Sequence, residues 1–108
     1  LLVDNSVSTR EARMAVKVLI KRKVSADKNK ELDLLLRKLR ALTLNQRGYI
    51  SGETFTRLDQ QGVSLVISTW QTLDDWRNWW LSAERKELQE KIDSLLGAPT
   101  EFEIFENA

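Results

Sequence analysis

The feature that most constrains this chain is the order in which its hydrophobic periods change. Residues 15–24 (AVKVLIKRKV) alternate, with Val16, Val18 and Ile20 on one face and Lys17, Leu19, Lys21 and Lys23 on the other. That is the period of two expected of a strand. Leu32, Leu35, Leu36, Leu39 and Leu42 then recur at spacings of three and four, which predicts an amphipathic helix over 27–43 with Ser25 as its N-cap. A turn at 45–48 leads into a second strand over 49–57, with Ile50, Gly52, Thr54 and Thr56 on one face. A short hairpin loop around Gly62 precedes the β-branched run VSLVISTW (63–70), a third strand antiparallel to the second. After Thr72, another N-cap, the chain is helical in two pieces that meet near Ser82, until Gly97 and Pro99 stop it. Residues 100–106 (TEFEIFE) alternate again as a fourth strand.

The order β-α-β-β-α-β predicts a ferredoxin-like α+β domain, a four-stranded antiparallel sheet with its helices on one face. The other face is left bare. A 108-residue chain buries only about two-thirds of its unfolded surface, so a second copy packed on that face is the expected solution, a homodimer. Lys17, Leu19 and Lys21 point to it, with Glu53 and either Glu101 and Glu103 or Glu106, which reads as a mixed polar interface or as an ordinary solvated face. The domain is expected to span 14–108. Residues 1–13 lack a clear period and read as an N-terminal arm, either a tail or a segment docked on the partner.

Composition narrows the chemistry. The 17 Lys and Arg against 16 Asp and Glu leave a net charge of +1, too little field to gather nucleic acid. The chain has no cysteine and no histidine, which excludes disulfides, thiolate metal sites, a cysteine nucleophile, a Ser-His-Asp triad and histidine-ligated haem. The charge-balanced strands lack the convergent acidic loop of a Ca²⁺ or Mg²⁺ site, so neither metal nor other cofactor is expected. No apolar run approaches the roughly 18 residues of a membrane span, and no signal-peptide layout is visible. No membrane association is expected, and the cytoplasm is the expected location.

All four tryptophans lie between Trp70 and Trp80, and Trp76, Trp79 and Trp80 fall at i, i+3 and i+4 on one helical stripe. Two readings stand. The indoles supply buried core area, or some of them line a cavity for a flat aromatic molecule.

The stretch from Gly48 through the Gly62 hairpin to Trp70, Trp76, Trp79 and Ser82 resembles the antibiotic biosynthesis monooxygenase domain family, and the likeness extends over residues 14 to about 106. The resemblance implies a dimeric α+β barrel with a pocket between the sheet and the helices of each subunit. One branch of that family comprises cofactor-independent monooxygenases that oxidise polycyclic phenols to quinones. The other degrades haem with an Asn, a Trp and a His, which fall here on Ile20, on Trp79 and near Gln89. Two of the three are absent, so haem degradation is not expected. The phenol-oxidising branch implies hydrogen-bond donors around a flat substrate. Tyr49, Asn78, Arg77 and the indole N–H groups of Trp76 and Trp79 are the available ones, with Ile20 and Trp70 as further pocket-lining positions. The plain alternatives are solvent-facing helix positions for Arg77 and Asn78 and strand packing for Tyr49. A non-catalytic dimeric module that binds a small ligand or regulates a partner is the other functional class the sequence leaves open.

Overall fold

A computed structural model describes residues 15–108; the expected arm, 1–13, lies outside the described residues. The elements run β1 (Val16–Lys23), α1 (Asn29–Leu44), β2 (Tyr49–Thr56), β3 (Val63–Trp70), α2 (Leu73–Trp80), α3 (Ala83–Leu96) and β4 (Glu101–Glu106). The strands form one antiparallel sheet in the order β2-β3-β1-β4, the β-α-β-β-α-β fold with its second helix broken in two.

Local chemistry explains the breaks. Thr72 Oγ1 accepts from Asp75 N at 3.1 Å, and Ser82 Oγ accepts from Arg85 N at 3.3 Å, so α2 and α3 each begin on a side-chain cap. Gly97 closes α3 with φ +72° and donates its N–H to Asp93 O. Ser25 does not cap α1 as expected. A 3₁₀ turn over Ala26–Lys28 intervenes, and Lys28, with no side-chain cap bond, occupies the cap position.

Val16, Val18, Ile20 and Arg22 share the helix-covered face of β1, and register adds Val66, Ser68 and Trp70 from β3. Leu39 and Leu42 from α1 and Leu73, Trp76 and Trp79 from α2 pack on this face. One expectation about β2 is corrected here. A bulge between Tyr49 and Ser51 sets Tyr49 opposite Trp70 and Gly52 opposite Ser68, on the helix side. The extra residue shifts the phase, so Ile50 joins Lys17, Thr69 and Phe105 along an open depression of about 430 Å³ at one end of the bare face.

On that bare face the rows read Ser51–Thr69–Lys17–Phe105, Glu53–Ile67–Leu19–Glu103 and Phe55–Leu65–Lys21–Glu101. Glu101 and Glu103 face this side, and Glu106, paired with Val16, does not. Lys21 Nζ meets Glu103 at 2.7 Å, and the hydrogen bond and charge of Glu103 raise the lysine's pKa. No helix of the described residues is long and apolar enough to cross a membrane.

Gly48 is a point of close approach. Its φ is +81°, its carbonyl accepts from Gln71 N at 2.7 Å, and a Cβ there would overlap the Asp75 carboxyl group. Gly48→Ala is therefore expected to destabilise the domain by roughly 1–3 kcal/mol, read as a lowered urea midpoint at unchanged slope.

Candidate functional site

The aromatic cluster grows from three elements that converge on the β3 end of the sheet. Trp70 closes β3 on the inward phase of its alternation, and its indole N–H donates to Ser68 Oγ at 3.1 Å, which satisfies the polar atom of a fully buried ring. The bulge in β2 carries Tyr49 edge-on to Trp70 at 5.4 Å between centroids. Gly52 then leaves room for the Tyr49 hydroxyl, which a Cβ would meet at 2.6 Å. From the first turn of α2, Trp76 meets Trp70 edge-on at 5.6 Å.

Of the positions singled out by sequence, Trp70, Trp76 and Trp79 are buried together with Val16 and Val18, and Ile20 and Tyr49 pack against them. Asn78 is exposed and does not join the group. Arg77 is also exposed, paired loosely with Asp74 at 3.7 Å on the surface of α2, a contact of little energetic weight. Ile20, where the haem-degrading branch has its Asn, packs against the core. Gln89, near that branch's His, is buried and donates to Thr100 Oγ1 at 2.8 Å and Asp93 Oδ1 at 2.9 Å. Neither position offers an iron ligand.

Trp80 differs from its neighbours. It remains 38% exposed, tilted against Trp76 at 5.8 Å and edge-on to Phe102 at 4.9 Å. The Arg85 guanidinium lies 4.2 Å from the Trp80 ring centroid, and Arg85 Nε donates to Trp80 O at 3.0 Å. The accessible aromatic surface beside the cluster thus belongs to Trp80 and the half-buried Phe102.

Sequence reasoning passed over the polar residues beside this surface. Arg22 and Arg85 are both buried, as are Gln89 and Thr100. Asp93 Oδ1 gathers the Thr100 N–H, the Thr100 hydroxyl and the Gln89 amide within 3.0 Å. Desolvation pushes the Arg22 pKa down to about 10 against the opposing field of Asp93, and lowers that of Arg85 in the same way. Both side chains stay cationic near neutrality. The signal was present: Arg22 continues the inward series Val16, Val18, Ile20, and Arg85, Gln89 and Asp93 recur at i, i+4 and i+8 on one stripe of α3.

Solved structures of other proteins share this fold. A conserved protein from Methanosarcina mazei Go1 superposes with a TM-score of 0.83 at 21% identity, over 93% of this chain and 99% of that one. SnoaB, a cofactor-independent oxygenase from Streptomyces nogalater, superposes with a TM-score of 0.74 at 15% identity, over 87% and 93% of the two chains. A protein of unknown function from Bacteroides thetaiotaomicron VPI-5482 gives 0.73 at 21% identity, over 88% and 99%. At these identities the likenesses carry the fold alone. No curated protein matches the sequence. The family model described as antibiotic biosynthesis monooxygenase matches residues 15–91, a span that holds Gly48, the bulged strand and all four tryptophans. The chain belongs to the antibiotic biosynthesis monooxygenase family.

Proposed function

We propose that the protein is a cytoplasmic, homodimeric, cofactor-independent monooxygenase that oxidises an aromatic or quinone-type small molecule. The observation that carries this reading is the family match over residues 15–91, joined to an accessible aromatic surface, Trp80 and Phe102, beside the buried tryptophans of the motif positions. The substrate lies against the accessible side of the cluster, with Trp80 and Phe102 as stacking surfaces and Trp76, Trp79 and Tyr49 holding their shape from behind.

The chemistry suits a site without imidazole. An anthrone-type substrate reacts as R₂CH₂ + O₂ → R₂C=O + H₂O, so the substrate itself supplies the electrons and no external reductant is needed. The protein's task is to bind the ionised phenol or enol form, hold it flat and keep bulk water away. The dimer is proposed through the bare sheet face, where Ile67, Leu19 and Leu65 form an apolar strip between charged positions.

Oxygen consumption tests the reading. Aerobic incubation with a panel of anthrones and naphthohydroquinones should give uptake well above the buffer rate for at least one member. Buffer-rate uptake across the panel would remove the enzyme reading, leaving the dimeric small-ligand-binding or regulatory module.

A further inference from the structure

Arg22 and Arg85 are each 5% exposed, yet Arg22 Nε and Arg85 Nη1 are buried with no hydrogen-bond partner. Buried cations are ordinarily paired, because a desolvated charge without a partner is strongly unfavourable. Arg85 is compensated in part by its Nε bond to Trp80 O and by the Trp80 ring, whereas Arg22 has no ion-pair partner among the described residues. The orphaned donors call for an explanation.

Their positions supply one. Ile20 on β1 pairs with Phe102 on β4, and the Arg85 guanidinium lies 5.8 Å from the Phe102 ring centroid and 4.2 Å from that of Trp80. One row further along the same face of β1 stands Arg22, at the end of the sheet where Gln89 reaches Thr100. Arg85 therefore lies beside the accessible aromatic surface, and Arg22 stands on the helix-covered face of β1, one row beyond the Ile20–Phe102 pair. The carboxylate whose field acts on both is Asp93. Its Oδ1 is already held by Thr100 and Gln89, and it forms no ion pair with either arginine among the described residues. Two cations against one engaged carboxylate leave this part of the domain with an excess of positive charge and two unused N–H donors.

We infer that Arg22 and Arg85 recognise an organic oxyanion, the ionised phenol or enol oxygen of the aromatic ligand. The inference rests on the aromatic-ligand reading above and adds the residues that hold the ligand's ionised oxygen. A planar guanidinium donates strongly to an oxyanion and stacks on the ring that carries it. An aromatic anion seated against the Trp80–Phe102 pair would bring its oxygen to the orphaned Arg85 donor and toward the Arg22 charge one row along the sheet. The unpaired charge is then the kind of local instability that binding sites retain and ligands relieve.

Binding tests this without requiring turnover. The probes are 2-hydroxy-1,4-naphthoquinone, which ionises to an enolate, and its neutral ether 2-methoxy-1,4-naphthoquinone, titrated by calorimetry at neutral pH. Wild-type protein should bind the enolate roughly 10- to 100-fold more tightly than the ether, the range for a charge-assisted hydrogen bond. Arg22→Gln and Arg85→Gln should each lose most of that preference, and Arg85→Lys should keep part of it. Arg22→Met, which removes the buried charge, should also raise the melting temperature of the free protein. Equal affinity of wild type for enolate and ether, no binding of either probe, or an unchanged preference in both glutamine variants would overturn the inference. Enolate preference without oxygen uptake would uphold it while defeating the monooxygenase reading, so the two fail separately.

Discussion

Trp70→Ala is expected to lower the stability of the domain by about 3–5 kcal/mol. The ring is fully buried, edge-on to both Tyr49 and Trp76, and its N–H is held by Ser68 Oγ. Truncation removes the largest side chain at the centre of the core, opens a cavity between β3 and α2, and leaves the buried Ser68 hydroxyl without its donor. Surrounding groups have little freedom to collapse, because Val16, Val18 and Tyr49 are fixed by the sheet. Since small domains are stable by only about 5–15 kcal/mol, the variant should sit near the limit of folding. Trp80→Ala is the control. With 38% of its surface exposed, Trp80 should cost less than half as much. Urea unfolding at fixed protein concentration measures both, and a loss below about 1 kcal/mol for Trp70→Ala would contradict its role as the core's anchor.

The second large effect concerns assembly. Ile67 and Leu19 face each other at the middle of the bare sheet, between Glu53 and Glu103 at the ends of their row. In the proposed dimer this row is desolvated, and Ile67→Lys would replace an apolar contact with a buried ammonium group whose neighbour Glu53 offsets only part of the desolvation cost. A penalty of several kcal/mol follows, weakening the dimer roughly 100-fold or more. Wild-type protein at micromolar concentration should sediment at twice the 12.5 kDa of one chain, and Ile67→Lys at that of one. A wild-type monomer would contradict the dimer, and a variant dimer of unchanged affinity would place the interface elsewhere. The Lys21–Glu103 pair on the same face is expected to set register more than to strengthen association.

What could be read in advance followed from regular period. Val16 and Val18 alternate through a strand with no irregularity, and both are buried where that pattern puts them. Thr72 is legible because a capping hydroxyl acts on backbone three residues away, and Ser82 is legible as the break between two helical pieces. Ile50 was misplaced because a bulge is a one-residue change of phase decided by pairing with β3, which the strand's own sequence does not encode. Ser25 lost its role to a 3₁₀ turn for a similar reason, the path of the chain between β1 and α1.

The polar half of the site was hidden by a different cause. An arginine at the end of a basic strand reads as solvated even on the inward phase that Val16, Val18 and Ile20 set, and it is the cover over that end of β1 that makes Arg22 a buried cation. Trp80 shares a helical stripe with Trp76, but α2 ends at that residue, so the ring is left at the rim beside Phe102 and Arg85. Periodicity gives the face of a helix and is silent on where along its length the cover stops.

The central claim, oxidation of an aromatic molecule by O₂ without a cofactor, is tested most directly by isotope labelling. Dialysed, chelator-treated protein would be incubated under ¹⁸O₂ with the anthrone-type substrate that gives oxygen uptake, and the product analysed by mass spectrometry. The account predicts a quinone carrying one ¹⁸O atom, formed at a rate proportional to enzyme. Product formed no faster than by autoxidation, or turnover that stops on chelation and returns only with added metal, would contradict it.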